Sequence, residues 1–390
     1  MEASIPTVQR QQVLTGTFDV IVIGAGAFGA WTALSLTERG ARVVLVDAYG
    51  VGNALASSGG DSRNIRAAYG GQEIYTRWSI GAWSLWHERQ AELGQQLIYP
   101  CGSLRMLETT DIEIQQAVFD GLAHPYELLD TDEVSYRWPQ VNYRCDHILY
   151  EPQSGILAAR DALISVVRLF QAKGGQVVQA RVAPPAGRTI DTITANGERM
   201  SASRFVFACG PWLPKLFPYL LDGWIMTPRR ELFFLGPAAG DHRFDWQHCP
   251  NLADPLGWTS SNLGGGVKVA PVIRHVPLDP DDGDRMPTPG LLDQVRAYVA
   301  ARLPGLVGRP VVGTYVSQLE NSDNDHFIID RHPDYDNVFI AGGGSGHAFK
   351  MGPVIGEHVA QFVLAGMQNP AEASLFGLQA HRPVAPAQGG

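Results

Sequence analysis

The sequence predicts an α/β fold with an α+β part inserted into it, and three observations lead there. A strand, a glycine-rich turn, a helix and a second strand follow one another between Phe18 and Asp47. The buried-strand pattern returns at Arg204–Cys209 and again at Val338–Ala341. Between about 222 and 325 the chain is richer in Pro and Asp, with scattered strand signals.

Phe18–Ile23 is a β-branched run suited to a strand buried on both faces. Gly24-Ala25-Gly26-Ala27-Phe28-Gly29 follows, then helical composition from Ala30 to Arg39, with Gly40 as the stop. Ala41–Val46 is a second buried strand, ended by Asp47. Each glycine has a physical task. Gly24 permits the tight turn, Gly26 lets backbone approach a pyrophosphate, and Gly29 lets helix pack on strand. Ala27, Phe28 and Ala48 flank these positions and are expected to contact the cofactor. The helix start offers free N–H groups and a positive dipole end to phosphates. Asp47 lies 18 residues past Gly29 (47 − 29), where a ribose-binding carboxylate belongs. This is a Rossmann-like dinucleotide unit. An acid at 47 disfavours NADP, but the unit alone does not choose between FAD and NAD.

Later segments continue the pattern. Tyr75–Leu93 reads as a Trp-rich helix, Gly102–Leu107 as a strand, Glu151–Ala158 as strand and turn, Arg160–Lys173 as an amphipathic helix and Gln176–Val182 as a strand. Pro353–Leu364 reads as the last helix. The nucleotide domain is therefore expected from 17–95, 150–218 and 326–368. The inserted α+β substrate domain, built on an antiparallel sheet, is expected from 96–149 and 219–325, with arms at 1–16 and 369–390.

The chain has 390 residues, 45% hydrophobic and 18% charged, which suits a globular enzyme of about two domains. Its 30 basic and 39 acidic side chains form no basic stripe, so nucleic acid is not an expected partner. Cys101, Cys145, Cys209 and Cys249 form no CxxC pair and no metal cluster, which predicts free thiols in a reducing, cytoplasmic setting. Residues 1–16 lack the apolar core of a signal peptide, and Phe18–Leu36 reads as strand plus helix, not a membrane span. A monomer or small homo-oligomer is expected.

Three segments carry a resemblance: Asp47-Ala48-Tyr49 through Asp61-Ser62-Arg63-Asn64-Ile65-Arg66-Ala67-Ala68-Tyr69-Gly70, Asp325-His326-Phe327-Ile328-Ile329-Asp330-Arg331-His332-Pro333, and Gly344-Ser345-Gly346-His347-Ala348-Phe349-Lys350. Together with the weaker Ala208-Cys209-Gly210-Pro211-Trp212, they resemble the monomeric sarcosine oxidase group of the D-amino-acid oxidase superfamily. The resemblance implies FAD and oxidation of a C–N bond in an N-methyl or cyclic secondary amino acid or related amine. It also implies that the imine is hydrolysed by water and that O₂ leaves as hydrogen peroxide. Cofactor contacts are then expected from Ser57, Ser58, Asp61, Ser62, Arg63, Val182, Cys209, Gly210, Trp212, Gly344, Gly346, His347 and Lys350. Backbone N–H groups of Gly342–Gly346 are expected near the flavin pyrimidine, where negative charge develops.

Arg66 and Lys350 match the family's basic pair for the substrate carboxylate, and a desolvated carboxylate needs such cations. Lys268 matches the lysine that activates oxygen, since electron transfer to O₂ builds negative charge that a fixed cation stabilises. Val267 and Val269 alternate with it, which fits a surface strand end as well as a site. Arg63 is expected to contact flavin or support its loop, His347 to be a satisfied structural histidine, and Tyr69 to wall the site or simply pack. Two departures stand out. Ser317 occupies the position nine residues before His326 where the group has its flavin-linking cysteine, and a hydroxyl is a poor nucleophile beside a thiolate, so non-covalent FAD is expected. Pro271 and Val272 replace polar or aromatic groups, which points to a bulkier or more apolar amine than sarcosine. Two other readings stay open. One is an FAD dehydrogenase of a 2-hydroxy acid or amine with a non-oxygen acceptor, and the other is a flavin-binding module without catalysis.

Overall fold

The structure is a computed structural model that describes residues 18–145, 147–185, 190–273 and 276–381. The expected arm at 1–16 lies outside the described residues.

One sheet is built on Phe18–Ile23. This strand pairs in parallel with Val43–Asp47 on one side and Glu198–Phe207 on the other. Gln176–Gln179 extends the sheet beyond Val43–Asp47, and Val338–Gly342 beyond Glu198–Phe207, both in parallel. Ile328–Arg331 closes the far edge antiparallel. All four residues of Val43–Val46 and all five of Val338–Gly342 are buried, as expected for strands covered on both faces. Helices Ala27–Glu38 and Gly352–Ala365 pack together on one face, through Trp31, Ile355 and Val359. The approach is close: a Cβ on Gly356 would lie 2.5 Å from the backbone of Trp31.

The second sheet runs Val311–Gln318, Arg229–Leu235, Val267–Pro271, Gly257–Ser260, Asn251–Asp254, Ser103–Met106, Ile148–Glu151, Glu127–Leu129. It differs from the expected antiparallel sheet at one seam. Asn251–Asp254 and Ser103–Met106 pair in parallel, because two distant chain segments are joined there. One face buries Leu104, Phe233, Val267 and Val269 against the helix Leu291–Arg302. The alternate residues of the same strands face the first half of the molecule. A small third sheet, Ser62–Ile65, Gly155–Ala158 and Ile98–Tyr99, lies between.

Several boundaries shift. The first helix starts at Ala27, not Ala30, since Gly26 already stands as its N-cap. The helix expected from Tyr75 begins at Glu73 and ends in left-handed Gly94. The strand expected at Gln176–Val182 ends at Gln179, and Val182 makes an isolated bridge to Ala195. Arg204–Cys209 is the end of a ten-residue strand, Glu198–Phe207, whose start folds back on Thr192–Ala195. Asn196 (φ 48°) and Gly197 (φ 87°) make that hairpin turn, the dipeptide suited to two left-handed positions. The segment expected as a loose arm from 369 is packed as far as residue 381. Pro370–Phe376 is a helix, Phe376 is fully buried, and His381 Nε2 lies 3.1 Å from Phe327 O.

Candidate active site

The carboxyl ends of the parallel strands open into a cleft of about 610 Å³, the place where open α/β sheets take ligands. Gly24 turns there at φ 100°, and a Cβ on it would sit 2.3 Å from Ala208 O. A Cβ on Gly29 would lie 1.8 Å from Gly24 O, so the helix start rests directly on the turn. No side chain caps this helix, which leaves its first N–H groups for a ligand. Asp47 Oδ2 accepts from Ala25 N at 2.8 Å and Oδ1 from Tyr49 N at 2.9 Å. Burial pushes its carboxyl up, and these N–H groups oppose that.

Of the expected cofactor residues, Gly24, Gly26, Ala27, Phe28, Asp47, Ala48, Ser57, Ser58, Arg63, Val182, Cys209, Gly210, Trp212, Gly344, Gly346 and His347 line the cleft. Gly29, Asp61, Ser62 and Lys350 do not. Gly29 is spent on helix packing. Asp61 is exposed and lies 3.6 Å from Arg160 Nη2. Ser62 faces Lys268, and Lys350 faces Tyr69. Arg63 knits its own loop, donating to Ser62 O and Ser57 O at 2.8 Å and also to Gly59 O.

The cleft suits FAD on its own chemistry. Ser57 Oγ, Ser58 Oγ and Glu320 Oε2 are buried in its wall without a hydrogen-bond partner among the described residues, and buried polar atoms call for one. Glu320 was not singled out from sequence. Its Oε2 would meet a Cβ on Gly210 at 3.2 Å, and its Oε1 a Cβ on Gly344 at 3.0 Å. Burial pushes its carboxyl up to about 8, against N–H groups of Gly344 and Gly343 that pull it down. At neutral pH it is therefore a neutral acid with a proton to donate. A second missed feature is Asp281, which no motif marks. Tyr49, Arg181, Trp212 and Lys215, all in the cleft wall, converge on it with contacts of 2.7–3.0 Å.

Beside the cleft the expected catalytic residues gather in two places. Lys268 Nζ is buried and donates to Ser62 Oγ at 2.6 Å and Ser62 O at 2.8 Å, 5.3 Å from the centre of the Trp258 ring. It is no surface lysine: it stands on the sheet face opposite Val267 and Val269. Arg66 Cζ and Lys350 Nζ lie 4.9 Å and 4.8 Å from the centre of the Tyr69 ring. Lys350 Nζ donates to His347 O at 3.1 Å, which ties this cluster to the cleft wall. Burial, then Arg66, holds Lys350 well below the usual lysine range, and burial, then Arg63, does the same to Lys268. His347 Nε2 lies 3.0 Å from Asp325 O, an acceptor only, so Nε2 carries the proton. Nδ1 then accepts from the Tyr69 hydroxyl at 3.1 Å. Burial, then Lys350, lowers His347 to about 3, so this ring is neutral and both nitrogens are satisfied. Arg105 was also missed, because a strand charge shows its destination only when the sheet face is known. Its Nη1 donates to Ala68 O at 3.1 Å.

Ser317 is buried and its Oγ lies 3.4 Å from Gln318 O, while Val272 is exposed. Among the described residues no His, Cys, Asp and Glu group could hold a metal, and no helix is long and apolar enough to cross a membrane.

Residues 19–362 match the family described as FAD dependent oxidoreductase. Monomeric sarcosine oxidase of Bacillus sp. (strain B-0618) is 28% identical over 93% of this chain and 95% of that protein. N-methyl-L-tryptophan oxidase of Yersinia pestis (strain Pestoides F) is 27% identical over 94% of this chain and 100% of that protein. Among solved structures, L-proline dehydrogenase from P. horikoshii superposes with a TM-score of 0.81 at 19% identity, over 92% of this chain and 96% of that one, a likeness of fold.

Glu320 generates a prediction. As pH rises through about 8 its buried donor is lost and a carboxylate appears in the cleft. FAD affinity, read by fluorescence titration of the apoprotein, is expected to fall above that pH, and Glu320→Gln to remove the alkaline limb. Identical pH profiles for the two proteins would discard this role.

Proposed function

The chain belongs to the family of FAD-dependent oxidoreductases, and from that premise we propose that it oxidises the C–N bond of an amino acid or a secondary amine, N-methyl or cyclic, to an imine, with O₂ reduced to H₂O₂. The observation that carries the reading is the pair Arg66 and Lys350 on Tyr69, tied by His347 to the wall of the dinucleotide cleft. The relatives named for sarcosine and N-methyl-L-tryptophan support an N-methyl amino acid as substrate class.

The glycine turn, Asp47 and the 344–349 loop would hold FAD, which when bound would supply a two-electron acceptor for hydride from the carbon beside the amine nitrogen. Arg66 and Lys350 take the substrate carboxylate, two cations in a desolvated place where charge-assisted bonds are strong. Neutral His347 accepts from the Tyr69 hydroxyl, which fixes the ring between the cation pair and the cleft. Glu151, the anion of this cluster, already accepts from Ala67 N and Ala68 N, so it is not free as a base, and the amine must arrive uncharged. The amine loses two electrons and two protons, O₂ takes both to give H₂O₂, and water splits the imine to a carbonyl compound and an amine. Lys268 places a cation where O₂ reduction builds negative charge. Ser317 offers no thiolate, so the cofactor is held without a covalent link.

Anaerobic bleaching of the yellow holoenzyme by a panel of amino acids, N-methyl amino acids and cyclic amines tests the reading. Bleaching by amines and rapid recolouring in air are expected. Silence across the panel would refute it, and bleaching with slow recolouring would replace oxidase by dehydrogenase. After acid precipitation the colour is expected in the supernatant; a yellow pellet would contradict non-covalent binding. Flavin reduction is expected to rise with pH as the amine deprotonates. Reoxidation is expected to fall with pH, since the Lys268 charge is lost as pH rises through its depressed value. Lys268→Met should slow reoxidation by about 10²-fold and flatten that limb, as read by stopped flow. A variant that reoxidises at the wild-type rate would remove Lys268 from this role.

A further inference from the structure

Arg105 is a cation that the proposed reaction does not use. It stands in the Ser103–Met106 strand, where Leu104 faces the apolar core and Arg105 the opposite side. Its Nη1 donates to Ala68 O at 3.1 Å, and Arg66 Nη1 donates to the same oxygen. Two guanidinium groups thus meet on one carbonyl, with Lys350 the third cation at Tyr69. Among the described residues none of the three has a carboxylate within 4 Å, although ion pairs are formed elsewhere in the chain. The carboxylate whose field reaches Lys350 and Arg105 is Glu151, 1% exposed. Its oxygens accept from Ala67 N and Ala68 N, and His124 Nε2 lies 3.6 Å away. One carboxylate therefore faces two guanidinium groups and the Lys350 amine. Arg66 first, and burial second, lower Arg105 to about 10, which shows that the repulsion is felt. A single substrate carboxylate between Arg66 and Lys350 leaves Arg105 with only Glu151, whose oxygens are already held by Ala67 N and Ala68 N. We propose that the substrate carries a second anionic group, a side-chain carboxylate, received by Arg105. The substrate class is then an acidic amino acid or its N-alkyl derivative. This rests on the amine-oxidising reading above.

The test uses the holoenzyme and two sets of probes. N-methylaspartate and N-methylglutamate are compared with N-methylglycine and N-methylalanine in anaerobic flavin reduction. Succinate and glutarate are compared with acetate and propionate as unreactive perturbants of the flavin spectrum. The acidic members are expected to bind about tenfold tighter or more. Arg105→Met should lower the acidic-to-neutral preference by at least about tenfold, with Arg105→Lys keeping part of it. Arg66→Ala should weaken both sets. Equal binding of the two sets, or a preference that Arg105→Met leaves unchanged, overturns the proposal while the amine reading stands. If no amine reduces the flavin but succinate still shifts its spectrum in an Arg105-dependent way, the amine reading falls and the two-anion site stands.

Discussion

The molecule depends on one close approach, the backbone of the Gly24 turn against Ala208. There the oxygen of one strand end lies where a Cβ of the other would be. That contact joins Phe18–Ile23 to Glu198–Phe207 at their carboxyl ends, and Gly29 then sets the helix on the same turn. Any side chain at Gly24 or Gly29 would push apart two parallel strands and a helix at once. Van der Waals repulsion rises too steeply for a packed interior to absorb such an overlap. The mouth of the cleft, its unpaired helix N–H groups and the position of Asp47 all follow from this small volume.

The second constraint is the two-faced sheet. The strand that buries Val267 and Val269 in a dry core presents Lys268 to Ser62, and the strand that buries Leu104 presents Arg105 to Ala68. Period-two alternation thus supplies stability from one face and charge to the site from the other. The cost of burying such cations is tolerated because carbonyl oxygens and aromatic faces meet them: Ser62 O and Trp258 for Lys268, Ala68 O for both arginines, and Tyr69 for Arg66.

What could be read from the sequence was whatever is encoded locally. The glycine turn, Asp47 and the two buried strands are contiguous, so their spacing carries the geometry. Arg66, Lys268 and Lys350 were visible because each lies in or beside a recognisable short motif: the Asp61–Gly70 segment, the strand after Gly264-Gly265-Gly266, and the Gly344–Lys350 segment. Glu320 and Arg105 were not. Arg105 stands in a strand and Glu320 just past the end of one, and whether such an isolated base or acid meets solvent, core or cleft is decided by segments distant in sequence, Ala68 for Arg105 and Gly210 and Gly344 for Glu320. The packed helix Pro370–Phe376 escaped for the same reason, since seven residues carry little periodic signal and Phe376 is buried against Tyr75 and Trp78. The parallel seam at Asn251–Asp254 likewise follows from tertiary assembly, not from local preference.

The order of strands in the central sheet has a consequence for synthesis. Val338–Gly342, which borders Glu198–Phe207, is among the last strands made, although the Phe18–Ile23 unit is the first. The second sheet is likewise unfinished until Val311–Gln318 joins Arg229–Leu235. Pairings this distant in sequence must wait for the intervening chain, and they close slowly because the loop entropy falls due before the contacts form. A growing chain therefore holds the early glycine turn with no Gly344–Phe349 wall beside it. The cleft is complete only once Gly344–Phe349, near the end of the chain, has been made and has joined the early turn.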